Sequence, residues 1–134
     1  MRKDLLLILL ALLAVACHRE SDAELTAEHF MAAYLDCRFS EASRMASPLV
    51  VEQMRWRASQ LTEADVALLA ETAAEVTVAD VAASTDSSIV TLSVSQALLP
   101  DSLGRPWSIG SCRYRLVLKR PDGKRWQVVS LRSL

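Results

Sequence analysis

Glycine is scarce in this chain: Gly104, Gly110 and Gly123 are the three in 134 residues. That leaves no phosphate-cradling loop, no dinucleotide fingerprint and no serine-hydrolase elbow, all of which need clustered glycines for close backbone approach. Histidine is scarcer still, with His18 and His29 alone, and the three cysteines stand far apart at 17, 37 and 112. No Cys/His spacing suits a metal ion and no Cys-x-x-Cys pair offers a redox dithiol, so neither metal nor other cofactor is expected. A basic excess is also missing: 15 Lys and Arg face 16 Asp and Glu, for a formal charge of −1. That balance argues against a nucleic-acid partner. Nor is there an apolar run long enough to span a bilayer. Leu5–Ala16 holds twelve apolar residues, about 18 Å of helix against a hydrocarbon core of about 30 Å. No internal repeat or low-complexity tract stands out.

The short run has a meaning of its own. Met1-Arg2-Lys3-Asp4 gives a charged start, the apolar stretch follows, and small residues precede the polar HRESDAE segment. This is the layout of a secretory signal. Leu13-Ala14-Val15-Ala16-Cys17 further resembles the lipobox of bacterial lipoproteins. That resemblance implies cleavage before Cys17, a diacylglycerol on its thiol and an acylated new amine. Two or three acyl chains anchor firmly where one does not. His18 in place of Asp implies the outer membrane, by the same resemblance. The alternative is an ordinary secretory signal that happens to leave a cysteine near its cut. The expected division is a signal at 1–16, a lipidated tether at 17–24 and one domain at 25–134. Residues 1–16 carry Arg2, Lys3 and Asp4, a net +1, so −1 overall leaves −2 for the mature chain.

Periodicity places helices first. At 100° per residue Ala27, Phe30, Ala33, Tyr34 and Cys37 share one side of a helix over 22–38, and His29 lies on the opposite, solvent side. A short helix is expected over 40–46. Ser47-Pro48 then caps and opens a third, with Val50, Met54, Ala58 and Leu61 as its apolar stripe. Leu49 and Trp56 fall elsewhere on it, either covering a neighbouring element or forming a surface for a protein partner. Thr62-Glu63-Ala64-Asp65 reads as a capping box opening a last helix to about Thr72. Beyond residue 73 the pattern alternates. Val76, Val78 and Asp80 share a strand face. Val90, Leu92 and Val94 share a second. Cys112, Tyr114, Leu116 and Leu118 share a third, and Trp126 and Val128 lead a fourth. Turns fall at 84–87 and at Pro121-Asp122-Gly123, and a loop at 100–106. The fold class is α+β, with N-terminal helices packed on a curved antiparallel sheet of about four strands. Arg113, Arg115, Lys119, Arg120, Lys124, Arg125 and Arg132 gather late. Most alternate with apolar residues, either as a solvated sheet face or as a contact site for anionic lipid or glycan.

The stretch from Phe30 to Ala42, with an aromatic-rich helix, a turn at Cys37-Arg38 and a restart at Phe39, resembles the opening of the nuclear-transport-factor-like superfamily. There a Gly-Asp turn is usual at the positions of Cys37 and Arg38. The closing Asp-Gly-Lys-Arg-Trp-Gln-Val-Val resembles that group's last hairpin. The resemblance implies a cone-shaped α+β fold whose members include enzymes, binders and scaffolds, so it does not by itself give an activity. Its enzymes carry acids inside the cone. Asp80 is the one acid on an apolar strand phase here: it is either a general base raised by desolvation, or a residue that meets solvent where the strand bulges or ends. No second acid or histidine joins it, so no catalytic set is expected. With Cys17 lipidated, Cys37 and Cys112 form an even pair in an oxidising compartment. In the cone fold the first helix crosses this sheet, so the resemblance makes a Cys37–Cys112 disulfide the candidate, with two core thiols as the alternative. The function expected is a membrane-anchored, non-catalytic envelope module for a protein partner or small ligand. A small enzyme using Asp80 and a structural subunit of an envelope assembly are the alternatives.

Overall fold

The computed structural model describes residues 21–100, 107–121, 123 and 125–134. The expected signal and lipidation site at Cys17, the loop at 101–106 and Lys124 lie outside these residues. Among them four helices precede four strands: α1 Asp22–Leu35, α2 Phe39–Ser43, α3 Pro48–Gln60, α4 Glu63–Ala70, β1 Glu75–Ala83, β2 Ser87–Leu99, β3 Ser108–Lys119 and β4 Gln127–Ser133. The strands form one antiparallel sheet in the order β1-β2-β3-β4. The α+β arrangement is thus as the sequence pattern implies.

α1 starts at Asp22, where its periodicity suggests, and stops sooner, at Leu35. The Ser21 side chain accepts from the Glu24 N–H, and Asp22 and Glu24 place acids in the first turn, where the helix dipole favours them. Residues 22–24, expected in the tether, therefore belong to the helix, and Ala23 is buried. At the other end the Arg38 N–H donates to Ala33 O at 2.9 Å and the Cys37 N–H to Tyr34 O at 3.3 Å. This crossed pair is a Schellman closure, and it needs a left-handed residue after the cap. Cys37 supplies it with φ 57°. α2 ends at Ser43 because the chain then pairs with the last strand. The Val128 N–H donates to Met45 O at 2.7 Å, and the Ser47 N–H to Val128 O at 2.9 Å. α4 opens on the capping box read from the sequence, with Asp65 Oδ2 accepting from the Thr62 N–H at 2.9 Å.

Three irregularities curve the sheet, since each bulge adds twist and bends its strand. One lies between Val78 and Asp80 in β1, one between Val94 and Ala97 in β2, and one at Val117/Leu118 opposite β4. The second is formed by Gln96, with φ 54°. Inside the curve Val90, Leu92, Leu116, Leu118 and Val128 are fully buried against Phe30, Met31, Val50 and Met54. Burial of each large aliphatic side chain contributes roughly 1.5–3 kcal/mol. The opposite face of β3 turns Arg113, Arg115 and Lys119 to solvent. Arg115 sits opposite Arg132 across the β3–β4 pair, a like-charge placement tolerable only where water screens it.

Candidate functional site

α3 buries an arginine. Its inner stripe runs Val50, Met54, Arg57, at helical spacings of four and three. Ala58, expected on that stripe, is exposed, and Leu61 is only half-buried beyond the helix end. Arg57 is 2% exposed. Its guanidinium carbon lies 4.8 Å from the centre of the Tyr34 ring and 4.7 Å from that of Trp107. One terminal nitrogen donates to Leu98 O at 2.9 Å, while Nε has no acceptor. Among the described residues the ion pairs are Arg38–Asp36, Arg38–Glu41 and Arg55–Glu52. None of these involves Arg57, so no described carboxylate pairs with it. Stacking and one hydrogen bond hold the guanidinium in place, but neither supplies a negative charge.

This arginine lines a cavity of about 390 Å³ between α1, α3 and the open end of the sheet. That volume falls in the range of small-molecule sites. The walls are apolar and aromatic: Tyr34 from α1, Trp56 from α3, Trp107 ahead of β3, Tyr114 from β3 and Leu131 from β4. Neutral hydrogen-bonding groups come from Gln53 and Ser133. The rings are ordered by mutual packing, with Phe30 stacked on Tyr34 at 5.9 Å and Tyr34 edge-on to Tyr114 at 6.3 Å. Other depressions run over the outer sheet face by Thr77 and Arg113, and beside α1 by His29 and Arg44. Neither has a charged wall residue as buried as Arg57.

The electrostatics of the cavity favour neutral phenols and thiols around a fixed cation. Burial pushes the Tyr34 phenol up, and the Arg57 charge beside it pulls part of the way back. Burial also pushes the Tyr114 phenol far above the ordinary range, with Cys112 and Tyr34 adding to the rise. Cys37 and Cys112 are raised by desolvation as well, and Arg57 acts against the rise in both. None of these four groups is poised to hold a negative charge at neutral pH.

Several sequence-derived candidates fall elsewhere. Cys37 and Cys112 are free thiols, not a disulfide. Cys37 stands past the end of α1 in the left-handed turn rather than on the helix's inner side, so the helix does not carry it onto β3. Both thiols instead border the Arg57 and Tyr34 pair. Asp80 is exposed: the bulge after Val78 turns it outward, and Val81 packs on the core in its place. It has none of the enclosure that a desolvated base requires. Leu49 and Trp56 are 69% and 59% exposed, and Trp56 forms part of the cavity mouth. His29 is exposed on α1, as its helical phase implies. Among the described residues no group of three His, Cys, Asp or Glu is placed to hold a metal ion.

Arg57 and Trp107 are absent from the sequence-derived candidates. The signal for Arg57 was its position, three after Met54 and seven after Val50, a charge on the apolar stripe. Trp107 carries no such periodic signal, because it sits outside a regular element.

No protein-family model matches the chain, and no curated protein matches it. Among solved structures it is similar to an "Ntf2 like protein involved in plasmid conjugation", at 12% sequence identity and a TM-score of 0.41. The matched region covers 81% of this chain and 46% of that protein, so this chain spans less than half of its length. A likeness of that degree carries nothing further about this chain.

Proposed function

We propose that this chain is a lipid-anchored, non-catalytic binding module of the bacterial cell envelope, with a cone-like domain that takes a small ligand into the Arg57 cavity. The observation that carries the binding role is the cavity itself: about 390 Å³, walled by ordered aromatic rings, with a few convergent polar groups. Such a combination suits recognition. General acid–base work asks for a titrating group near the operating pH. The walls bring two phenols and the Cys112 thiol, whose protons are held more tightly than usual. The anchoring role rests on Leu13–Cys17. No helix of the described residues is long and apolar enough to cross a membrane, so attachment in this reading comes from lipid on Cys17.

The binding role is tested with N-phenylnaphthylamine, an uncharged apolar fluorophore that brightens on leaving water. Saturable brightening at one probe per chain is expected, together with a change in tryptophan emission from Trp56 and Trp107. Absence of a saturable signal would overturn the reading of the cavity as a ligand site.

A further inference from the structure

We infer that the ligand of this cavity is a monocarboxylate with an apolar body, whose carboxylate pairs with Arg57; the inference deepens the binding role proposed above and rests on it. Arg57 is 2% exposed, lines the cavity and has no acidic partner among the described residues. Burying an ion is costly unless a counter-charge joins it. The Tyr34 and Trp107 rings and Leu98 O fix the guanidinium without neutralising it. An anion entering the cavity supplies a counter-charge that no described residue provides, and low local dielectric strengthens the attraction.

The class of anion follows from the walls. One cation balances one negative charge, and among the described residues no lysine or second arginine lines the cavity, so these walls would leave a phosphate dianion undercompensated. A carboxylate matches the planar fork of a guanidinium. The neutral donors of Gln53 and Ser133 suit the remaining lone pairs, since acceptors alone would repel them. The aromatic and aliphatic walls then ask for an apolar body of modest length. Raised phenols in Tyr34 and Tyr114 keep their protons, so they do not compete with the ligand as anions.

The test is competition against bound N-phenylnaphthylamine on the full chain, using pairs that differ only in charge: octanoate with octanol, and phenylbutyrate with phenylbutanol. Each carboxylate is expected to displace the probe at a concentration at least tenfold lower than its alcohol. Arg57→Met, which removes the charge and leaves a shorter unbranched apolar side chain, is expected to abolish that preference, read as the ratio of acid to alcohol potency. The wild-type comparison decides the charge question even where the variant fails to fold. Equal potency of acid and alcohol would overturn the inference while leaving the binding role intact. Displacement by acetate or inorganic phosphate as potent as that by octanoate would overturn it in favour of a bare-anion site. A preference retained in Arg57→Met would remove Arg57 from the assignment. Failure of the fluorophore itself to bind would take down the binding role, and the inference with it.

Discussion

Arg57 shows how one residue can set the character of a site. The same α3 stripe that packs Val50 and Met54 into the core delivers a guanidinium to the cavity wall. Its neighbours are groups that titrate, and burial raises all four: Tyr34, Cys37, Cys112 and Tyr114. The consequence for stability has a definite sign. A group whose folded pKa lies above its unfolded value stabilises fully below the unfolded value, and that contribution is lost as pH rises through the folded value. Melting temperature should therefore fall progressively once pH passes the ordinary thiol and phenol values of 9.0 and 10.0. Tyr34 and Tyr114 are the chain's two tyrosines, so ultraviolet titration reads them without interference. Tyrosinate should appear only above the ordinary phenol value of 10.0. Phenolate absorbance at the ordinary pH in a chain still folded by circular dichroism would contradict this account. At this scale the sequence was partly legible. The inward phase of Tyr114, Leu116 and Leu118 follows from alternation alone. Arg57 was hidden because its charge interrupts an otherwise apolar stripe, and of the two readings of Asp80 the bulge after Val78 decides for the solvent-facing one.

At the scale of elements, the end of α1 is where backbone chemistry and the usual pattern part company. The closure Arg38 N–H to Ala33 O and Cys37 N–H to Tyr34 O requires the left-handed region at residue 37, a conformation glycine adopts without the Cβ penalty. Here cysteine stands in that position with φ 57°. Cys37→Gly should relieve the strain and raise stability by about 0.5–1 kcal/mol, which for a domain of this size is roughly 2–5 °C in melting temperature. Cys37→Ala is the control, because it removes the thiol and keeps the Cβ. A gain in the alanine variant equal to that in the glycine variant would assign the effect to the sulfur rather than to φ. Start signals proved easier to read than stops across the helices. Ser47-Pro48 and Thr62–Asp65 each mark a beginning, since a cap is written in a few neighbouring residues. α2 stops where Met45 and Ser47 bond to Val128, some eighty residues away in sequence, and a local pattern holds no trace of that pairing.

The whole molecule combines a domain that closes on itself with a proposed attachment that precedes it. α1 begins at Asp22 behind the Ser21 cap, and Ala23 is already buried. The α+β class was legible because the change from helical to alternating periodicity near residue 73 coincides with the real boundary between Ala70 and Glu75. Cavities are not written that way: theirs arises from sheet curvature set by three bulges, and from Trp107, Arg57 and Tyr34 meeting across distant segments. Attachment and fold should therefore separate cleanly under mutation. Cys17→Ser removes the thiol that the lipobox reading acylates, while among the described residues the packed core begins at Ala23. The variant is expected to leave the membrane fraction and lose the mass of its acyl chains. Its melting temperature should match that of the wild type, because substitutions away from packed or capped positions usually change stability by less than about 0.5 kcal/mol. Retention of Cys17→Ser in washed membranes, or a wild-type intact mass without lipid, would reject the anchor. A large drop in melting temperature with loss of the membrane fraction would instead show that residues before Ser21 contribute to the fold, and that anchor and domain are not separable parts.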